Sequence, residues 1–177
     1  MNQTSTHATS QPVRIAIVSS SWHRDIVALG TNAMKAELAR LTELPSEVDH
    51  FEVPGAFEIP LHAQRLAKSG RYAAILTCGL IVNGGIYRHE FVTSAVIDGL
   101  MRVQLDTDVP VFSAVLTPRD FHEHADHLAF FTQHFVKKGE EAAKTCVATL
   151  QSLARLPGLP GVPTTPASTK APQALAA

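Results

Sequence analysis

The chain has 177 residues, 45% of them apolar and 18% charged, with a formal net charge of −1. That is enough for one domain with a real core, and the balance is ordinary for a soluble globular protein. No basic field calls for nucleic acid or a membrane surface, residues 1–12 hold no signal-peptide core, and the longest apolar run, 73–82, falls far short of the ~20 residues that span a bilayer.

Residues 1–12 are polar and read as a disordered lead-in; residues 13–156 read as the single domain. VRIAIVS, from Val13 to Ser19, is a β-branched apolar run, as expected of a strand buried on both faces. A loop over residues 20–23 follows. From Arg24 a helix is expected, with Ile26, Val27, Met34, Leu38 and Leu41 on one face, ending before Pro45. A second strand is expected over 47–51, leading into Val53-Pro54-Gly55-Ala56-Phe57-Glu58. Pro60 suits the first turn of the next helix, which runs to about Lys68 with Gly70 at its C-terminal cap.

A third strand is expected over 72–80, a third helix over 88–105 and a fourth strand over 109–116. Thr117-Pro118-Arg119-Asp120 has the form of a capping box with proline at the first helical position. Residues 121–134 are rich in His and Phe and show no clear period. The last helix is the plainest: Gly139, Ala142, Ala143, Cys146, Val147, Leu150, Leu153 and Ala154 follow helical spacing. Past residue 156 the chain turns to Pro, Gly, Ala and Thr, so 157–177 read as a disordered tail. Cys78 and Cys146 have no metal or redox spacing and read as reduced core thiols, which fits a cytoplasmic protein.

Strands alternating with helices imply a parallel sheet covered on both faces. The expected fold is a three-layer α/β/α domain with a four-stranded parallel, flavodoxin-like sheet. Ligands bind such sheets outside the carboxyl ends of the strands, at the topological switch point. Four loops converge there: 20–23, 53–58, 80–89 and 113–118. In the third of them a strand ends near Asn83, Gly84-Gly85 breaks the chain and a helix opens near Arg88. A helix N-terminus with free backbone N–H groups is an anion site.

Trp22, the run VPGAFEIP over residues 53–60, and Gly84-Gly85 followed by Glu90-Phe91-Val92 together resemble the 6,7-dimethyl-8-ribityllumazine synthase family. The resemblance covers about residues 13–156, and Gly-Gly-Ile-Tyr-Arg-His with Trp22 is more similar to the family's second bacterial type. It implies a step of riboflavin biosynthesis: 5-amino-6-(D-ribitylamino)uracil condenses with 3,4-dihydroxy-2-butanone 4-phosphate, and phosphate and water leave. It implies no metal or redox cofactor. It also implies pentamers, or multiples of them, with active sites shared between subunits; the long His/Phe segment favours a face-to-face pair, a decamer.

Carried residue by residue, the resemblance makes Trp22 a stacking platform for the uracil ring; the alternative is a partly buried packing residue. Ala56, Phe57 and Glu58 would hold the ribityl chain and pyrimidine edge, Glu58 receiving a ribityl hydroxyl. Leu80, Ile81 and Val82 would offer main-chain contacts to the pyrimidine, and Gly85 and Ile86 main-chain N–H groups to phosphate. Ser113 stands where the family usually has a phenylalanine reaching from the neighbouring subunit. His127 aligns with a phosphate-binding arginine.

Arg88 occupies the place of the family's proton-transfer histidine, and histidine follows at His89. Arginine stays protonated and is a poor base but a good oxyanion partner. Two residues in succession on a helix point about 100° apart, so His89 shuttles protons only if the first turn is rotated or frayed; otherwise it is a surface or inter-subunit residue. By this reading Arg88 slows the enzyme. A protein that binds flavin or lumazine with little or no catalysis is the rival reading. Of His122, His124, His127 and His134, only His124 and His127 share a helical face, and no partnering carboxylate or cysteine pattern completes a zinc site. Phe121, Phe130, Phe131 and Phe135 suit a subunit interface.

Overall fold

The computed structural model describes residues 12–41, 44, 46–86, 88–119, 121 and 125–157, with backbone alone for 125–127. Residues 1–11 and 158–177 of the expected tails, Pro45, Tyr87, Asp120, His122 and His124 therefore lie outside the described residues, as does the side chain of His127.

Four parallel strands stand in the order β2-β1-β3-β4: β1 (Val13–Ser20), β2 (Ser46–Val53), β3 (Ala74–Leu80) and β4 (Val111–Leu116). Val13 pairs with Ser46, Ile15 with Ala74 and Ile75 with Val111. The central strands β1 and β3 are continuous apolar runs because both of their faces are covered, and every residue of β3 is buried. The edge strands β2 and β4 mix polar with apolar positions.

Helices α1 (Arg24–Arg40) and α4 (Ala125–Leu153) cover one face, and α2 (Ile59–Lys68) and α3 (His89–Thr107) the other. Ile15, Ile17, Leu76 and Cys78 point toward α1 and α4; Ala16, Val18 and Ile75 point toward α2 and α3. Connections from β1 and from β3 leave in opposite directions, which opens a crevice between their carboxyl ends. This is the three-layer α/β/α, flavodoxin-like sheet that the sequence implies.

Several boundaries move. Tyr72 precedes β3 rather than starting it: it is buried and donates its hydroxyl proton to Asp49 at 2.7 Å. The fourth strand begins at Val111 because Pro110 has no N–H to donate; its carbonyl accepts from Ile75 at 2.9 Å. No helix starts at Pro118. Thr117 and Pro118 are irregular and α4 begins at Ala125; the expected box also carries Asp120 where Glu or Gln has the reach to close it.

Helix α4 extends back through the His/Phe segment, and the packing overturns the assignment of Phe121, Phe131 and Phe135 to an interface. Phe135 and Phe131 are buried inside the protomer and Phe121 packs against the same core, leaving Phe130 exposed. Gly139 makes that packing possible. A Cβ there would fall 2.3 Å from the Gly30 carbonyl oxygen, so α1 and α4 touch backbone to backbone.

Candidate active site

A cavity of about 360 Å³ opens at the carboxyl ends of β1 and β3. Trp22 and His23 enter it from the loop after β1, Ala56 and Phe57 from the 3-10 turn after β2. Leu80, Ile81, Val82, Gly84 and Ile86 come from the segment after β3, and His89 and Val92 from the start of α3. Three of the four expected loops therefore meet. The fourth does not: Ser113 lies mid-strand on β4, exposed, its Oγ accepting from the Val115 N–H at 3.3 Å, and it does not line this subunit's cavity.

Trp22 is 65% exposed, so it is not a packing residue. Its seat is Gly55: a Cβ there would come within 3.2 Å of the indole Cζ3. Backbone hydrogen bonds from Ser21 and Trp22 to Val53 and Pro54 tie the loop to the end of β2. The result is a flat aromatic face held at the mouth of the cavity, beside Phe57 and the aliphatic side chains of Leu80, Ile81 and Val82, a shape that suits a planar heterocycle.

Glu58 does not line the cavity; one carboxylate oxygen accepts the Gly55 N–H at 2.9 Å, closing the 3-10 turn. Gly85 has φ +76 and donates its N–H to the Asn83 side-chain oxygen at 3.2 Å. An anion approaching Gly85 and Ile86 would have to displace that neutral acceptor. Glu90 stands in the first turn of α3, its carboxyl held below the usual range by its own backbone N–H and then by His89 and Arg88, with desolvation opposing.

Arg88 and His89 are separated by the helix boundary. Arg88 is the N-cap residue, with φ −70 and ψ 102, and the helix starts one position later than the sequence implies. The 100° rule of a continuous helix does not govern this pair. The Arg88 guanidinium packs 4.9 Å from the Phe91 ring centroid, outside the cavity, whereas His89 lines it with a side chain 13% exposed. Nδ1 of His89 lies 3.5 Å from a Glu90 carboxylate oxygen.

The 6,7-dimethyl-8-ribityllumazine synthase family model matches residues 12–154. The chain belongs to that family. A 6,7-dimethyl-8-ribityllumazine synthase of Rhodococcus erythropolis is 61% identical over 146 residues, covering 82% of this chain and 94% of that protein. Proteins named 6,7-dimethyl-8-ribityllumazine synthase 2 are 56% identical in Bradyrhizobium diazoefficiens and 54% in Pseudomonas syringae pv. tomato. The first alignment covers 83% of this chain and 88% of its relative; the second covers 81% and 84%.

Sequence reasoning named Gly84 and Val92 only as parts of the motif that carries the resemblance, and assigned no site role to them or to His23. His23 adjoins Trp22 in the sequence, but its packing against residue 121 comes from a segment nearly a hundred positions away. Among the described residues no helix is long and apolar enough to cross a membrane.

Proposed function

We propose that the chain is the riboflavin-pathway enzyme that joins 5-amino-6-(D-ribitylamino)uracil to 3,4-dihydroxy-2-butanone 4-phosphate, giving 6,7-dimethyl-8-ribityllumazine and releasing phosphate and water. The observation that carries this is the cavity itself: in a chain of this family, Trp22 stands at the mouth of a crevice whose wall holds His89. Trp22 would stack on the pyrimidine, with Ala56, Phe57 and Leu80 to Val82 along its edge. Gly85 and Ile86 would receive the phosphate.

Amine–ketone condensation is mainly an orientation problem, and alignment of two reactants is worth up to about 7–11 kcal/mol. Proton transfer adds ~10²–10⁴-fold, and His89 is the residue we assign to it. Arg88 then serves as an electrostatic neighbour rather than a base. Mixing the purified protein with both substrates tests the reading directly: lumazine absorbance should grow, and its absence would favour a binding protein. His89→Ala should lower kcat by about 10²-fold or more. Arg88→His should change it less than about threefold, because its side chain lies outside the cavity.

Pentamers with shared sites, paired as a decamer, are the assembly we favour. Support comes from α3, where Phe91, Ile97, Met101 and Leu105 stand exposed on the surface away from the sheet, more apolar area than a lone helix normally leaves uncovered. Ser113 would then approach the ring in a neighbour's site, and His127 a neighbour's phosphate. Buried free thiols at Cys78 and Cys146 support a cytoplasmic setting.

A further inference from the structure

Of the described residues lining the reaction cavity, two carry titratable side chains: His89 and His23. His23 is the N-cap of α1, a position normally taken by Ser, Thr, Asp or Asn whose side chain bonds to the first-turn N–H groups. Its own side chain makes no such bond. Its backbone sits at φ 55, ψ 41, the left-handed region, which costs a residue with a Cβ roughly 1–2 kcal/mol. Strain of that kind at a cavity wall is an observation that asks for a function.

The ring is also supported. It stands edge-on to Phe121 with centroids 5.4 Å apart, and Phe121 packs on the buried Phe131 at 5.2 Å. The aromatic residues before and within α4 thus form a shelf for an imidazole that helix capping does not use. His23 also lines a second cavity of about 510 Å³, with Arg24, Asp25, Phe121 and Leu128. His23 is therefore shared by the linings of the two cavities.

We propose that His23 is a second proton-transfer residue of this site, exchanging protons between the reaction cavity and the second cavity. This rests on the lumazine synthase reading above. In the first condensation a C–N bond forms and the ketone C–O bond breaks, and both amine hydrogens leave in the water released. An imidazole that takes a proton from nitrogen and passes it to the departing oxygen, once for each of the two hydrogens, ends as it began, so no oxidant or reductant is needed. Later, phosphate departs and the ring closes with loss of a second water, repeating the demand for a carrier. One imidazole per cavity would have to serve every step; two from separate loops divide the work.

Among the described residues, the charged and titratable groups nearest His23 are Arg24 and Asp25 on its own helix, Glu52 of β2 paired with Arg24, and His89 with Glu90 from α3. All are present in both variants below. His23→Phe keeps the edge contact with Phe121 and removes the proton carrier; His23→Asn keeps a residue tolerant of the left-handed backbone. Trp22 is the chain's single tryptophan, so its fluorescence reports product binding. Both variants should lose about 10²-fold in kcat, bind product within about threefold of the parent, and lose one ionisation from the pH profile of kcat. Retention of kcat within threefold in either soluble variant overturns the proposal, as does a loss of product binding that matches the loss in kcat. A parent protein that forms no lumazine overturns the assigned reaction, and this proposal with it; an active parent with active variants overturns only the role of His23.

Discussion

The two helical layers are built on different terms. On the α1–α4 side the protomer closes on itself: Phe135 is fully buried, Gly30 and Gly139 bring two backbones together, and Glu37 ties both helices with ion pairs. On the α2–α3 side the inner surface is just as well packed, with Ile59, Val96 and Leu100 against the sheet. Its outer surface is not. Phe91, Met101 and Leu105 are each more than half exposed. One layer buries most of its aromatic residues within a single chain, Phe130 apart, and the other leaves apolar side chains exposed along its outer face. The candidate cavity lies at the strand ends between the layers, with Trp22 and His23 entering just before α1 and His89 and Val92 from α3.

The strongest way to break this contrast is Met101→Glu combined with Leu105→Glu. Charges placed in a buried interface without partners cost several kcal/mol, so sedimentation should show the assembly reduced to smaller species. The far-UV spectrum should stay unchanged, since neither side chain belongs to the core. An intact assembly would mean that the outer face of α3 is not an interface.

Gly139→Val tests the other layer. Its Cβ has no room beside the Gly30 carbonyl, and overpacking typically costs 1–3 kcal/mol; the backbone contact puts this site at about 3 kcal/mol. Urea denaturation should show the loss as a lower midpoint. An unchanged midpoint would show that α1 and α4 part without penalty. Trp22→Ala belongs at the meeting point of the layers, where loss of a stacked ring costs about 1–3 kcal/mol. Product affinity should weaken roughly tenfold, with the fold and assembly intact.

These contrasts were unequally legible in the sequence. Strands β1 and β3 could be read because a strand buried on both faces is a run of apolar residues, and α2 because Pro60 and Gly70 mark its two ends; Gly70 does adopt φ +68. The first ten residues of α4 could not, because His and Phe cluster there without a clean period, and exposed Phe130 directly precedes buried Phe131. The angle between Arg88 and His89 turned on a single position: once the helix starts at His89, adjacent residues no longer obey helical angles. The aromatic shelf under His23 had no local signal, since the contact between residues 23 and 121 is a product of the tertiary fold.

The smallest effect expected is also the most specific to the closed layer. Glu37 is 8% exposed and accepts two hydrogen bonds from Arg40, at 2.7 and 2.8 Å, with Lys144 of α4 at 3.5 Å. The Arg40 hydrogen bonds first, then the Arg40 and Lys144 charges, bring its carboxyl down to about 2 against the cost of desolvation. A carboxyl depressed in the folded state stabilises above its unfolded value, near 4.5, and loses that contribution as pH falls through the folded value. Glu37→Gln should therefore lower Tm by a few degrees at pH 6, and the gap to the parent should narrow as the pH approaches 2. A gap that stayed constant across that range would mean that the side chain's shape, not its charge, joins α1 to α4.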